Sequence, residues 1–108
     1  MTDDELTDAW EAGHVFAGGI SHVDHVRIGW VLHRRHGEDE ARLRLVHGTR
    51  RACELHGCPE KFDAVVTERW SNAIAEAVGR DGFGPTAGAF VEAHPELLDG
   101  RRFGPARP

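Results

Sequence analysis

The sequence predicts an all-α fold, a single-domain bundle of four to five short helices over residues 1–100 followed by a flexible C-terminal tail, 101–108. Three observations predict it. Valines, isoleucines and leucines recur at helical spacing, and no run alternates with period two. Ser21, Gly37 and Pro59 punctuate the chain where the periodic segments meet. The length of 108 residues is that of one domain, and 40% hydrophobic residues supply one modest core.

Each element has its own signal. Thr2 or Asp3 caps a first helix running to about Ala12, and the Gly-rich stretch 13–19 connects it onward. Ser21 is the N-cap of a second helix, with Asp24 three residues on in a capping-box-like position. That helix ends near His36, with Gly37 as its C′ residue. A third helix spans about Glu38 to His56. Pro59 opens the first turn of a fourth, over 60–79. The four glycines of 79–88 form a loop. A fifth helix covers Thr86 to Ala93, and the segment from His94 to Gly100 makes a short helical turn.

Charge and composition exclude some function classes. The net charge is −5 and no face is basic, so nucleic acid is not the expected partner. Twelve of the 13 basic residues are Arg and one is Lys61, which matches a GC-rich genome. No apolar run approaches the roughly 18 residues of a membrane span. The acidic start, MTDDELTDAW, is not a targeting segment. Cys53 and Cys58 read as reduced thiols in a cytoplasmic protein, since five residues is neither a standard disulfide nor a zinc spacing.

The second helix carries the candidate site. At about 100° per residue, His22, His25, Gly29, His33 and His36 fall within an arc of about 80°. Leu32 borders this column on one side, and Val23, Val26 and Trp30 on the other. The histidines thus lie inside the apolar arc, and Gly29 leaves room beside them. His33 and His36 also suit an exposed helix end. The fourth helix has a matching feature. Its apolar arc runs through Phe62, Val66, Trp70, Ala73, Ile74 and Ala77, and Asp63 falls inside it with Thr67 one turn on. A carboxylate on a buried face needs a partner, and the imidazoles opposite can supply one.

Two chemistries fit His22, His25 and Asp63. Two His at i, i+3 with a carboxylate can hold a divalent metal (Fe, Zn or Cu), leaving open positions. Without metal, an Asp–His pair can hold one imidazole as a general base with the second His as acid. Thr67 would orient Asp63 or a bound water, and Gly29, Trp30 and Trp70 would line the pocket. The bland reading is a satisfied polar contact between two helices.

The segments FAGGISHVDHVRIGWVLHRRHG, GTRRACELHGCPEKFDAVVTERW and FVEAHPELLDG resemble a widespread, largely uncharacterised family of small, His-rich, all-helical bacterial proteins. That family shows a Thr-His-x-x-His-Val/Leu-Arg helix start, an Ala-His-Gly turn, a Tyr-His-Glu-Thr-x-Thr motif and a late His-Pro-Glu-Leu. The resemblance covers roughly residues 16–100. It matches His22 and His25 to the paired histidines, His56 and Gly57 to the turn, and Thr67 to the second Thr of the later motif. Phe62 stands where Tyr is usual, Asp63 where His is usual, and Ala64 where Glu is usual. A three-histidine family site would here be two His and one Asp. The resemblance implies where the site lies and assigns no reaction.

Other groupings are weaker. Cys53, His56 and Cys58 could share a soft metal, but a fourth ligand is not evident, and Cys53 reads as a core residue beside Val46 and Thr49. Ser21 and Ser71 are explained by capping or by the surface. The expectation is a small cytoplasmic enzyme acting on a small organic molecule, in specialised metabolism, with a homodimer among the assemblies the sequence leaves open. The alternative is a non-catalytic binding or interaction domain whose His/Asp cluster fixes helix register. A pocket reaching His25 and Asp63 favours the first, and a sealed, directly bonded cluster favours the second.

Overall fold

The computed structural model describes residues 1–99. The tail expected to be flexible, 101–108, lies outside the described residues. Among those residues the chain forms five helices and no strand: α1 (Asp3–Glu11), α2 (His22–His36), α3 (Glu38–Leu55), α4 (Ala64–Asp81) and α5 (Ala87–Ala93). Two 3-10 turns, Pro59–Lys61 and Pro95–Leu98, precede α4 and follow α5. The fold is an all-α, single-domain bundle. None of its helices is long and apolar enough to cross a membrane.

The helix starts are set by caps. Thr2 opens α1 with a full capping box: its Oγ1 accepts from the Glu5 N–H, and the Glu5 carboxylate accepts from the Thr2 N–H. Ser21 Oγ accepts from the Asp24 N–H, as expected of an N-cap. The Asp24 carboxylate turns to Arg27 instead of closing the box. Gly37, with φ +82°, joins α2 to α3 in a conformation that L side chains rarely adopt.

Helix α2 lies between two core clusters, which explains its weakly amphipathic sequence. Val26, Trp30 and Val31 pack with Ile74, Ala77, Phe90 and Leu97. Ile28 and Leu32 pack on the other side with Leu6, Trp10, Ala41 and Leu45. A helix covered on two sides needs apolar residues on both, so no single stripe emerges. Trp10 closes the α1–α3 contact, and its ring occupies the space that a Cβ on Gly48 would need. Its Nε1 is the one fully buried side-chain polar atom without a hydrogen-bond partner among the described residues. Ion pairs fasten α1 to the outside of α2: Arg27 to Asp3 at 2.6 Å, and Arg35 to Asp4 and Asp8 at 2.7 and 2.8 Å.

Three sequence expectations change here. Pro59 opens a 3-10 turn, not α4; Phe62 and Asp63 are extended, and α4 starts at Ala64. His33 is not at an exposed helix end. It is buried, and its Nε2 meets the hydroxyl of Ser71, itself buried and not at the surface, at 3.1 Å. The room beside Gly29 is filled by α4, since a Cβ there would stand 2.6 Å from Ile74 Cδ1 and 3.3 Å from the Trp70 ring.

Candidate functional site

The local geometry that builds the site begins with three helix ends. Ser21 fixes the start of α2, so His22 and His25 both fall in its first turn. Asp63 fixes the start of α4, which puts Val66 and Thr67 in its first turn and Trp70 in its second. Helix α3 ends at Leu55, bringing Thr49, Ala52, Cys53 and His56 to the same place. Where two helices begin and a third ends, a cleft of about 540 Å³ opens. Gly19 and Ile20 border it from the connector, Cys58 and Lys61 from the loop before α4, and Leu97 from the last turn. Its size is that of a small-molecule pocket.

His22, His25, Asp63, Thr67 and Trp70 all line this cleft. Gly29 and Trp30, expected there, do not. Gly29 is packed under α4, and Trp30 is buried in the core with its indole N–H donating to the Phe83 carbonyl at 2.9 Å. Phe62 sits under the Arg50 guanidinium, 5.1 Å from it.

The carboxylate is occupied differently from the expectation. Asp63 is the N-cap of α4, not part of its first turn, and its Oδ1 accepts from the Val66 N–H at 3.1 Å. The cap itself satisfies a half-buried carboxylate, so no imidazole is needed as partner. Thr67 does bind Asp63, but its hydroxyl donates to the main-chain carbonyl at 2.9 Å. Among the described residues no three His, Cys, Asp or Glu side chains come together as a metal-ligating group. His22, His25 and Asp63 share the pocket wall without converging on one point. They do not fit the expected metal centre as they stand.

His25 is the most distinctive group. It is half-buried, and its ring meets Trp70 edge-on at 6.1 Å. Among the described residues neither of its ring nitrogens has a hydrogen-bond partner. Burial, and then the repulsion of a proton on His22, push its pKa down to about 4. At neutral pH it is therefore an uncharged imidazole in the pocket wall.

His56 is committed elsewhere. Its Nε2 accepts from the Phe16 N–H at 3.1 Å, and its Nδ1 lies 2.8 Å from the Ala52 carbonyl. The first bond requires a lone pair and the second a proton, which together define the neutral Nδ1–H tautomer. Its role is to pin the connector to the end of α3, and it has no nitrogen left for the soft metal site considered with Cys53 and Cys58. The two cysteines are free thiols, both half-buried. Burial first, then the neighbouring Cys58, push the Cys53 thiol up.

Ile20, Lys61 and Leu97 had no signal in the sequence, since they come from a connector and two 3-10 turns without periodicity. A second cleft, between α1 and α3, is lined by charged residues that pair with one another, Arg44 with Glu11 and Glu40.

No family model, curated protein or solved structure matches the chain.

Proposed function

We propose that the chain is a small enzyme that binds a small organic molecule in the α2–α3–α4 cleft and moves a proton on it through His25. The observation that carries this reading is the pairing of an open cleft with a neutral imidazole whose nitrogens have no hydrogen-bond partner among the described residues. A cluster serving only helix register would be sealed and bonded directly, as His33 and Ser71 are.

The chemistry follows from the environment. Trp70, Ile20, Val66 and Leu97 give the ligand an apolar bed, and the His25 nitrogens give it one polar anchor. With a pKa of about 4, His25 starts as an acceptor. A bound group that develops negative charge strengthens its hold on a proton, which makes it a base when the substrate is in place. His22, exposed at the rim, is the second cause, after burial, that lowers the His25 pKa. Among the described residues no three ligating side chains come together around Asp63, so acid–base chemistry is the form the residues favour. Two free thiols suit a reducing, cytoplasmic setting.

The test is a screen of small aromatic and heteroaromatic compounds against the wild type and His25→Gln, read by NMR. We expect compounds that shift the Trp70 indole signal and are converted by the wild type but not by His25→Gln, with both proteins equally folded. Conversion unaffected by His25→Gln would overturn the assignment. Ligands bound but never changed would make this a binding domain.

A further inference from the structure

We propose that Cys53 and Cys58 are a redox-active dithiol in the wall of the cleft, closing reversibly to an intramolecular disulfide when exposed to a peroxide. The proposal is independent of the role given to His25.

The geometry comes from the way α3 ends. The Cys58 N–H donates to the Cys53 carbonyl at 2.8 Å, and the Gly57 N–H to the Glu54 carbonyl at 3.1 Å. Gly57 between them has φ +76°. These are the two bonds and the left-handed residue of a Schellman cap, in which the side chains three residues before and just beyond the turn come into contact. Here both of those residues are cysteines. Standard covalent lengths on either side of the 2.8 Å bond limit their Cα separation to at most about 6.7 Å. A disulfide spans roughly 4.4–6.8 Å between Cα atoms. Both side chains line the same cleft, so an oxidant entering it meets both.

Burial and Cys58 keep the Cys53 proton on its sulfur, so Cys58 is the thiol that reacts first. Its thiolate attacks hydrogen peroxide, the O–O bond breaks, and Cys58 sulfenic acid and hydroxide form. The Cys53 sulfur then attacks the sulfenic sulfur. The S–S bond forms, the S–O bond breaks, and the departing hydroxide takes the Cys53 proton as water. In sum, two thiols and one peroxide become one disulfide and two waters.

The test uses the reduced full chain, treated with one equivalent of hydrogen peroxide, alkylated with iodoacetamide and weighed intact. We expect loss of two hydrogens, no alkylation, a peptide linking Cys53 to Cys58, and recovery of two alkylatable thiols after dithiothreitol. Cys53→Ser should instead accumulate sulfenic acid on Cys58. Gly57→Val, which strains the left-handed position, should slow closure about tenfold while leaving both thiols present. Two thiols still alkylated after peroxide, linkage mainly between separate chains, or closure as fast in Gly57→Val as in the wild type would each overturn the proposal.

Discussion

His33 of α2 and Ser71 of α4 bond to each other in the middle of the helix bundle, Nε2 to Oγ at 3.1 Å, and both side chains are almost fully buried. Burial first, then the charge of Arg42, lower the His33 pKa to about 4. The pair joins the two helices that carry the walls of the cleft. Removing either partner leaves the other unsatisfied in the interior. Ser71→Ala should therefore cost about 1–3 kcal/mol, measured by urea unfolding at neutral pH. An unchanged midpoint would show that the bond carries no stability.

The same residue makes stability depend on pH. His33 and His25 have pKa values of about 4 in the folded protein against 6.5 ordinarily. Between those values the unfolded chain binds more protons than the folded one. Their contribution is complete above about pH 6.5 and is lost as pH falls toward 4. At 1.36 kcal/mol per pH unit, the loss is on the order of 3 kcal/mol for His33 and less for the half-buried His25. Unfolding curves at pH 7.5 and 4.5 should show the difference, and His33→Gln should shrink it. Equal pH dependence in wild type and variant would contradict this.

His22→Ala should raise the pKa of His25, because it removes the second cause of the depression and leaves burial, the larger one. An imidazole NMR titration reads this directly. A His25 value unmoved by the change would mean that the two rings do not sense each other.

Asp63 offers a test of cap against ligand. Asn caps a helix about as well as Asp, and Ala does not. Asp63→Asn should keep the wild-type stability, and Asp63→Ala should lose about 1 kcal/mol. Elemental analysis of gently purified wild type and His22→Ala belongs beside it. Near-stoichiometric metal that disappears in the variant would show that His22 holds a metal in this cleft.

Gly48→Ala should destabilise the α1–α3 contact by about 1–3 kcal/mol, because the new methyl group meets the rigid, buried Trp10 ring. Chemical unfolding decides it, and a stabilised variant would mean that the ring has room to move.

What the sequence determined by itself is the class of fold, the order of the helices and the approximate place of the cleft. Ser21, Gly37 and the periodic apolar residues act within a few positions of themselves, so their signals are local and legible. His22 and His25 on α2, and Thr67 and Trp70 on α4, could be named because helical spacing sets which face they share. Tertiary structure decided how each is used. Asp63 looked like a buried charge in need of an imidazole until the extended backbone at Phe62 and Asp63 moved the start of α4 and made it a cap. Helical spacing put His33 inside the apolar arc but also left it suited to an exposed helix end; α4 decided between the two by covering it and supplying Ser71. Gly29 looked like open space until Ile74 and Trp70 filled it. A helix running into a turn near His56 already allowed Cys53 and Cys58 to lie near each other; the left-handed backbone at Gly57 and the two hydrogen bonds that close the turn came from the structure. In each case the deciding fact is a neighbour distant in sequence or one backbone angle, and residue periodicity carries neither.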